Sequence, residues 1–183
     1  MKRRVVILGA GFGGAYCAQE LERRSPETEV LLLDRNNYSV FYPLLVEAGT
    51  GSLQPNHVVV PVRSFIRRTQ FKMAQVTAVD CREQTVRYAL RGNGQLQASR
   101  YDQLVIAVGS ATRMPALPGL HEFGFEVKGL ADATLLRDRA IQLIEEANAI
   151  DDPRRRRTCL HFVIVGGNFT GAEVAGEFHT YLR

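Results

Sequence analysis

The chain has 183 residues, of which 45% are hydrophobic, and it carries a formal net charge of +4. This length suits one full domain and part of a second, and the composition excludes disorder as the default state. No apolar stretch reaches the roughly 20 residues that span a bilayer. Arginines cluster at 63–68 and 154–157, but no nucleic-acid-reading motif accompanies them, so we expect solvated faces and no nucleic-acid partner.

The three cysteines, Cys17, Cys81 and Cys159, lie far apart in the sequence. Their spacing matches no zinc or CxxC pattern, so we predict no metal site and no local redox disulfide. The apolar run that follows Met1-Lys-Arg-Arg is shorter than the apolar region of a signal peptide. A reducing, cytoplasmic location is therefore the expectation.

The first predicted elements are a strand, a glycine turn, a helix and a second strand. Residues 4–8 form an apolar run typical of a strand buried on both faces of a parallel sheet. Residues 13–24 follow with helical periodicity, and Ser25-Pro26 ends that helix. Residues 29–33 read as a second buried strand, and Asp34 follows it directly.

The middle of the chain changes character. Residues 35–60 are rich in Asn, Pro and Gly, so we predict irregular structure there, followed by a short helix at 62–68. Three short strands are predicted within 71–99, with a tight turn at Arg91-Gly92-Asn93-Gly94. Another buried strand is predicted at 104–108. The pattern indicates an antiparallel hairpin inserted into an α/β fold.

The last third repeats the opening pattern. A helix is predicted over 132–149, with Asp132 as its N-cap, and a linker over 151–157. A buried strand at 160–165 and a helix from Thr170 then flank a second glycine turn. The sequence predicts a Rossmann-like α/β domain with a parallel sheet and an inserted antiparallel hairpin or meander, plus the start of a second nucleotide-binding βα unit.

The first glycine turn satisfies G-x-G-x-x-G through Gly9, Gly11 and Gly14, and Asp34 lies at the end of the next strand. Gly9 permits the tight turn, Gly11 leaves room for a pyrophosphate, and Gly14 allows close packing of helix and strand. The start of the helix attracts phosphate charge, and Asp34 can accept hydrogen bonds from a ribose. These residues predict an adenine-dinucleotide site without distinguishing FAD from NAD.

The surrounding sequence resembles the start of the type II NADH dehydrogenases, members of the FAD-dependent pyridine nucleotide-disulfide oxidoreductase superfamily. The resemblance runs through residues 5–53, through Tyr101–Ser110 and through Val163–Gly167. It implies that the first fingerprint holds FAD, that residues 1–150 are the N-terminal part of an FAD-binding domain, and that residues 151–183 begin an NAD(P)H-binding domain. The cofactor-binding residues that motif and resemblance together predict are Gly9, Gly11, Phe12, Gly13, Gly14, Asp34, Arg35, Thr50, Val76, Ala107, Gly109, Gly166 and Gly171.

The second glycine turn resembles the NADH fingerprint of that family with one departure. Asn168 stands where the pattern has its middle glycine, which brings a side chain to the place where a pyrophosphate approaches and weakens the inference of NAD(P)H binding. The resemblance implies that Glu173, in the first turn of the following helix, lies at the contact between flavin and nicotinamide. We predict Glu173 as the catalytic residue; a solvated glutamate near a helix start is the alternative.

The resemblance implies an oxidoreductase in which NAD(P)H reduces FAD and a quinone-like acceptor reoxidises it. Only 12 residues follow Gly171, so we expect this sequence to be an N-terminal fragment. We expect the remaining part to provide quinone contacts and peripheral association with the inner face of the plasma membrane; a homodimer is compatible with this. Two alternatives stay open: a non-catalytic dinucleotide-binding module, and an enzyme like the sulfide:quinone oxidoreductases, although the cysteines do not match their pattern.

Overall fold

The computed structural model describes residues 2–181. These residues divide into two compact units: residues 2–39 with 60–110 form the first unit, and residues 40–59 with 111–181 form the second. The predicted boundary near residue 150 between an FAD-binding and an NAD(P)H-binding domain stays a prediction.

Eight strands are present in residues 2–181. They are β1 (Arg4–Leu8), β2 (Glu29–Asp34), β3 (Tyr38–Val40), β4 (Val59–Pro61), β5 (Gln70–Asp80), β6 (Thr85–Leu90), β7 (Leu96–Arg100) and β8 (Gln103–Ile106). Six of them form one sheet in the order β7-β6-β5-β2-β1-β8, and β3 and β4 form a separate two-stranded sheet. Strands β5, β2, β1 and β8 run parallel, whereas β5, β6 and β7 form an antiparallel meander. The predicted fold class, a parallel Rossmann-like sheet with an inserted meander, is confirmed.

The first unit packs a core on each face of this sheet. Its helices are α1 (Phe12–Arg24) and α3 (Val62–Phe65). On one face, Ile7 and Leu32 pack with Ala18 of α1; on the other, Leu8 and Leu33 pack with Tyr88 of the meander. Successive residues of β1 and β2 thus point to opposite cores, which explains why both strands are continuously apolar.

The second unit is helical in residues 40–59 and 111–181. Its helices are α2 (Leu45–Thr50), α4 (Leu120–Phe123), α5 (Leu130–Asn148), α6 (Pro153–Cys159) and α7 (Phe169–Tyr181), with 3-10 turns at Tyr42–Leu44 and Pro55–Val58. Val46 of α2, Ala140 of α5 and Phe178 of α7 share one buried cluster, and the ring of Phe162 stacks on that of Phe178 at 5.1 Å.

Three local predictions in this unit need correction. Residues 35–60 are not irregular, since they contain α2, whose Leu45 and Val46 are buried, Val46 against α5 and α7. Residues 153–159 form α6 instead of a linker, because Asp152 caps the helix by accepting the Arg154 N–H and Pro153 occupies its first position. Asp132 is the third residue of α5, and its side chain accepts the N–H of the true N-cap, Gly129, at 2.8 Å.

The predicted buried strand at 160–165 is also wrong. Residues 161–168 form neither helix nor strand, and Val163 is 76% exposed. A strand is stable when a neighbour satisfies its backbone N–H and C=O groups, and no strand pairs with this segment among residues 2–181. The helix predicted after it does form, as α7.

Candidate nucleotide-binding site

The first glycine turn begins where β1 ends. Gly9 adopts a φ of +97°, a conformation that side chains rarely tolerate, and its N–H donates to the Leu33 carbonyl at 2.8 Å. A Cβ added to Gly9 would overlap the Ala107 carbonyl. The turn therefore lies at the carboxyl ends of three neighbouring strands, β2, β1 and β8, where open α/β sheets bind ligands.

Gly14 brings α1 against this turn. A Cβ added at Gly14 would overlap the Gly9 carbonyl oxygen and lie 3.3 Å from Cγ2 of Ile7. Because no side chain fits there, the helix start can sit directly over the end of β1. Gly14 thus has the packing role that the motif predicts for it.

Gly11 is the glycine with open space around it. No atom lies within 4 Å of a Cβ added there, and the Gly11 φ of −71° is one that any residue adopts. Gly11 is the N-cap of α1, and as a glycine it has no side chain to cap the helix. The first N–H groups of a helix have no partners within the helix and point towards the space beside the N-cap, which is where an anion can bind.

Asp34 is held by backbone donors from both sides. Its Oδ2 accepts the Ala10 N–H at 2.7 Å, and its Oδ1 accepts the Asn36 N–H at 2.7 Å. Each carboxylate oxygen can accept a further hydrogen bond. The half-buried carboxylate is therefore fixed at the turn while retaining acceptors for ribose hydroxyls.

The structure brings part of the predicted set together in the first unit. Gly9, Gly14 and Ala107 are joined by the close approaches given above, and Asp34 bonds within the same turn. Three other predicted residues of this unit are exposed: Phe12, Gly13 and Arg35. Gly109 lies in an exposed loop with a φ of +71°. Val76 is half-buried beside a bulge in β5.

Thr50 lies in the second unit. It is fully buried, and its hydroxyl donates to the Val46 carbonyl at 3.2 Å and the Glu47 carbonyl at 3.3 Å. Its hydroxyl is thus engaged within α2, and its assignment as a cofactor residue stays a prediction.

The second glycine turn repeats the geometry of the first. Gly166 has a φ of +118°, and a Cβ added to Gly171 would overlap the Gly166 carbonyl oxygen. Asn168 occupies the N-cap position, since its carbonyl accepts the Ala172 N–H at 2.9 Å and its Oδ1 accepts the Gly171 N–H at 3.0 Å. The side chain that replaces glycine therefore caps α7 and takes up one of its free donors.

Glu173 is exposed on α7. Glu173 is the fifth residue of that helix, whose first turn contains no acidic residue. The prediction that it lies in the first turn is therefore wrong, because it lies at the start of the second turn. Its catalytic role stays a prediction.

Residues 3–182 match the family described as pyridine nucleotide-disulphide oxidoreductase. The chain belongs to this family. It is 33% identical over 179 residues to the type II NADH:quinone oxidoreductase of Mycobacterium tuberculosis, covering 96% of this chain and 38% of that protein. It is 36% identical over 191 residues to the mitochondrial external alternative NAD(P)H-ubiquinone oxidoreductase B1 of Solanum tuberosum, covering 99% of this chain and 33% of that protein. The resemblance to type II NADH dehydrogenases is confirmed.

A solved structure agrees with these sequence relatives. NDH2 from Plasmodium falciparum in complex with NADH superposes with a TM-score of 0.88 at 26% identity, over 100% of this chain and 38% of that one. This family member spans about a third of the length of the relatives that it matches.

Residues 2–181 contain neither a membrane-spanning helix nor a cluster of metal ligands. None of the helices in this range is long and apolar enough to cross a membrane. No cluster of three or more His, Cys, Asp or Glu side chains in the same range could hold a metal ion.

Sequence reasoning missed the backbone partners of this site. The Ala10 and Asn36 N–H groups hold Asp34, and the Ala107 carbonyl closes against Gly9. Backbone groups leave no signature in residue type. The capping role of Asn168 had a signal that could have been used, because Asn is among the preferred N-cap residues.

Proposed function

We propose that the first glycine turn binds the adenosine diphosphate half of FAD. The observation that carries this is a helix start whose N-cap, Gly11, has no side chain and open space around it, beside a carboxylate held in place by the Ala10 N–H. A pyrophosphate fits where a side chain is missing, and the helix dipole favours its charge. Asp34 accepts hydrogen bonds from the adenosine ribose.

We further propose that the whole protein is an NAD(P)H:quinone oxidoreductase. Bound FAD supplies the hydride acceptor; the residues of this chain bind and orient it. The names of the Mycobacterium and Solanum relatives, a NADH:quinone and a NAD(P)H-ubiquinone oxidoreductase, support a quinone as electron acceptor. Peripheral membrane association, a cytoplasmic or inner-face location and a homodimer belong to the same proposal.

Glu173 is the proposed catalytic residue, and the second glycine turn is the proposed NAD(P)H site. The exposure of Glu173 near the start of α7 supports a contact with a ligand. A carboxylate at the nicotinamide orients the ring and stabilises charge that develops during hydride transfer.

A dinucleotide-binding module without catalysis is the second candidate. One observation favours it, because Asn168 already occupies a donor that a pyrophosphate would use. Bleaching of bound flavin by NADH in the purified protein separates the two, since a module without catalysis leaves the flavin oxidised. The cysteines of residues 2–181 give no observation in favour of a function like that of the sulfide:quinone oxidoreductases, since Cys17, Cys81 and Cys159 are free.

The FAD proposal is tested with Gly11→Val. The φ of Gly11 and the space around it accommodate a side chain, so the fold should be retained, while the isopropyl group fills the volume of the pyrophosphate. We expect a loss of flavin affinity of about 100-fold or more, measured by absorbance of the purified protein and by FAD titration of the apoprotein.

Gly176→Val is the matched control. Gly176 also has nothing within 4 Å of an added Cβ, and it lies on α7 away from either turn in sequence. This variant should keep full flavin occupancy. Normal occupancy in Gly11→Val with a circular dichroism spectrum like that of the wild type would refute the proposed site.

A further inference from the structure

A cavity outside the proposed nucleotide site lies in the first unit, beside the turn between β6 and β7. It has a volume of about 420 Å³, within the range of small-molecule sites. Its lining includes Lys72, Met73, Leu90, Arg91, Asn93 and Gln97. None of the residues proposed to hold FAD lines this cavity.

Lys72 brings a positive charge into the cavity without a matching acid. Its half-buried side chain donates from Nζ to the Gln97 Oε1 at 2.7 Å and to the Tyr88 hydroxyl at 3.0 Å. Among residues 2–181, Lys72 forms no ion pair with a carboxylate. Two neutral partners do not neutralise an ammonium that has lost part of its water, so an anion beside it would be stabilised.

The side chains of Gln97 and Asn93 add amide donors to the lining. The Gln97 Oε1 accepts from Lys72 and from Tyr88, which leaves the Gln97 Nε2 to donate. The Asn93 Oδ1 accepts the Gln95 N–H at 3.0 Å, and the Asn93 Nδ2 can donate. The Arg91 guanidinium is exposed and forms no hydrogen bond or ion pair with residues 2–181, and no acidic residue lines the cavity.

Two apolar side chains, Met73 and Leu90, also line the cavity, together with Gly92. The cavity thus offers one half-buried cation, one exposed cation, amide donors and an apolar wall. We propose that it binds a small molecule that carries an oxyanion, phosphate or carboxylate, on an apolar body. Arg91 provides the planar fork of donors that matches such a group.

The test uses phenyl phosphate, benzoate and inorganic phosphate as probes, added at constant ionic strength to the purified protein. Binding is measured by isothermal titration and by the shift in unfolding temperature. We expect saturable binding of at least one aromatic oxyanion, with inorganic phosphate weaker because it cannot use the apolar wall. Whichever of phenyl phosphate and benzoate binds more tightly identifies the oxyanion. Benzyl alcohol, which lacks the charge, should not bind.

Arg91→Gln is the decisive variant, because this exposed side chain can be changed without disturbing the core. We expect it to weaken binding about tenfold, and Lys72→Met to do the same. Arg87→Gln is the matched control, an exposed arginine of β6 outside the cavity, and it should bind as the wild type does. Flavin content should be unchanged in all three. Absence of saturable binding, or equal weakening in Arg87→Gln and Arg91→Gln, would overturn the proposal.

Discussion

The two glycine turns have the same backbone geometry but different surroundings. Both start with a positive φ, at Gly9 and Gly166, and in both the last glycine packs against the carbonyl of the first. The first is surrounded by β1, β2 and β8, whereas the segment before the second has no strand partner in residues 2–181. The local sequence is therefore sufficient to form the turn. Whether the turn has room and rigidity for a ligand depends on its middle residue, Gly11 or Asn168, and on the strands that surround it.

The largest expected effect comes from adding a side chain at the last glycine of each turn. In Gly14→Val the new Cβ overlaps the Gly9 carbonyl. This overlap cannot relax by a shift of Gly9, because the hydrogen bond to the Leu33 carbonyl and the contact with the Ala107 backbone hold Gly9 in place. We expect a loss of about 3 kcal/mol in the free energy of unfolding. Gly171→Val should cost less than half of that, because no strand among residues 2–181 holds Gly166 in place.

Urea unfolding followed by circular dichroism measures both variants. Gly176→Val, in the same helix as Gly171 but with open space around it, gives the cost of valine in a helix alone and is subtracted. Equal losses at Gly14 and Gly171 would mean that the surrounding strands add nothing to the rigidity of the first turn.

The next effect concerns the chemistry proposed for the second turn. Glu173→Gln keeps the shape of the side chain and removes its charge. If the carboxylate orients the nicotinamide, reduction of flavin by NADH should slow about tenfold, equivalent to about 1.4 kcal/mol of transition-state stabilisation. Stopped-flow absorbance of the flavin is the measurement. Glu145→Gln, an exposed residue of α5, is the control, and identical rates in both variants would return Glu173 to a solvating role.

Asn168 offers a direct exchange between the two turns. Asn168→Ala removes the cap on the Gly171 N–H and should cost about 1 kcal/mol, whereas Asn168→Gly should cost only a few tenths. The glycine variant also recreates the open position of Gly11, so we expect it to bind NADH more tightly than the wild type. Thermal unfolding and NADH titration check the two effects, and an NADH affinity that falls in Asn168→Gly would show that the amide contacts the nucleotide.

The smallest effect is a pH dependence in the first unit. The Glu22 carboxylate accepts the N–H groups of Arg67, Arg68 and Thr69 at 2.6–3.1 Å. Burial raises the pKa of Glu22, but these hydrogen bonds outweigh it, and the pKa is lowered from its ordinary value of 4.5. A lowered folded-state pKa stabilises the fold above the unfolded-state pKa, and this stabilisation is lost as the pH falls below it.

Glu22→Gln should therefore flatten the decline of unfolding free energy between neutral pH and pH values below 4.5. Glu27→Gln, which removes an exposed carboxylate outside this set of three donors, serves as the control. If the unfolding free energy of Glu22→Gln fell as steeply with decreasing pH as that of the wild type, Glu22 would make no contribution to the pH dependence of stability.

Much of the first unit could be predicted because its signals are local. The apolar runs of β1 and β2, the glycine spacing and Asp34 each reflect one backbone or packing requirement. The strand expected at 160–165 failed for the opposite reason, since an apolar run becomes a strand only when a partner satisfies its backbone. The local signal for helix α6 is the cap at Asp152 followed by Pro153, and the charge of its arginines says nothing about a helix.

The close approach of Ala107 to Gly9 also bears on how the site is made. Strand β8 adds to the sheet through contacts of long sequence separation; the Arg4 N–H, for example, donates to Asp102, 98 residues away. The closure of a long loop costs chain entropy before the contact stabilises the fold, so we expect such contacts to form late in folding. The first glycine turn is therefore complete only when β8, which lies far along the sequence from Gly9, has joined the sheet. The time at which the refolding protein takes up flavin would report this step.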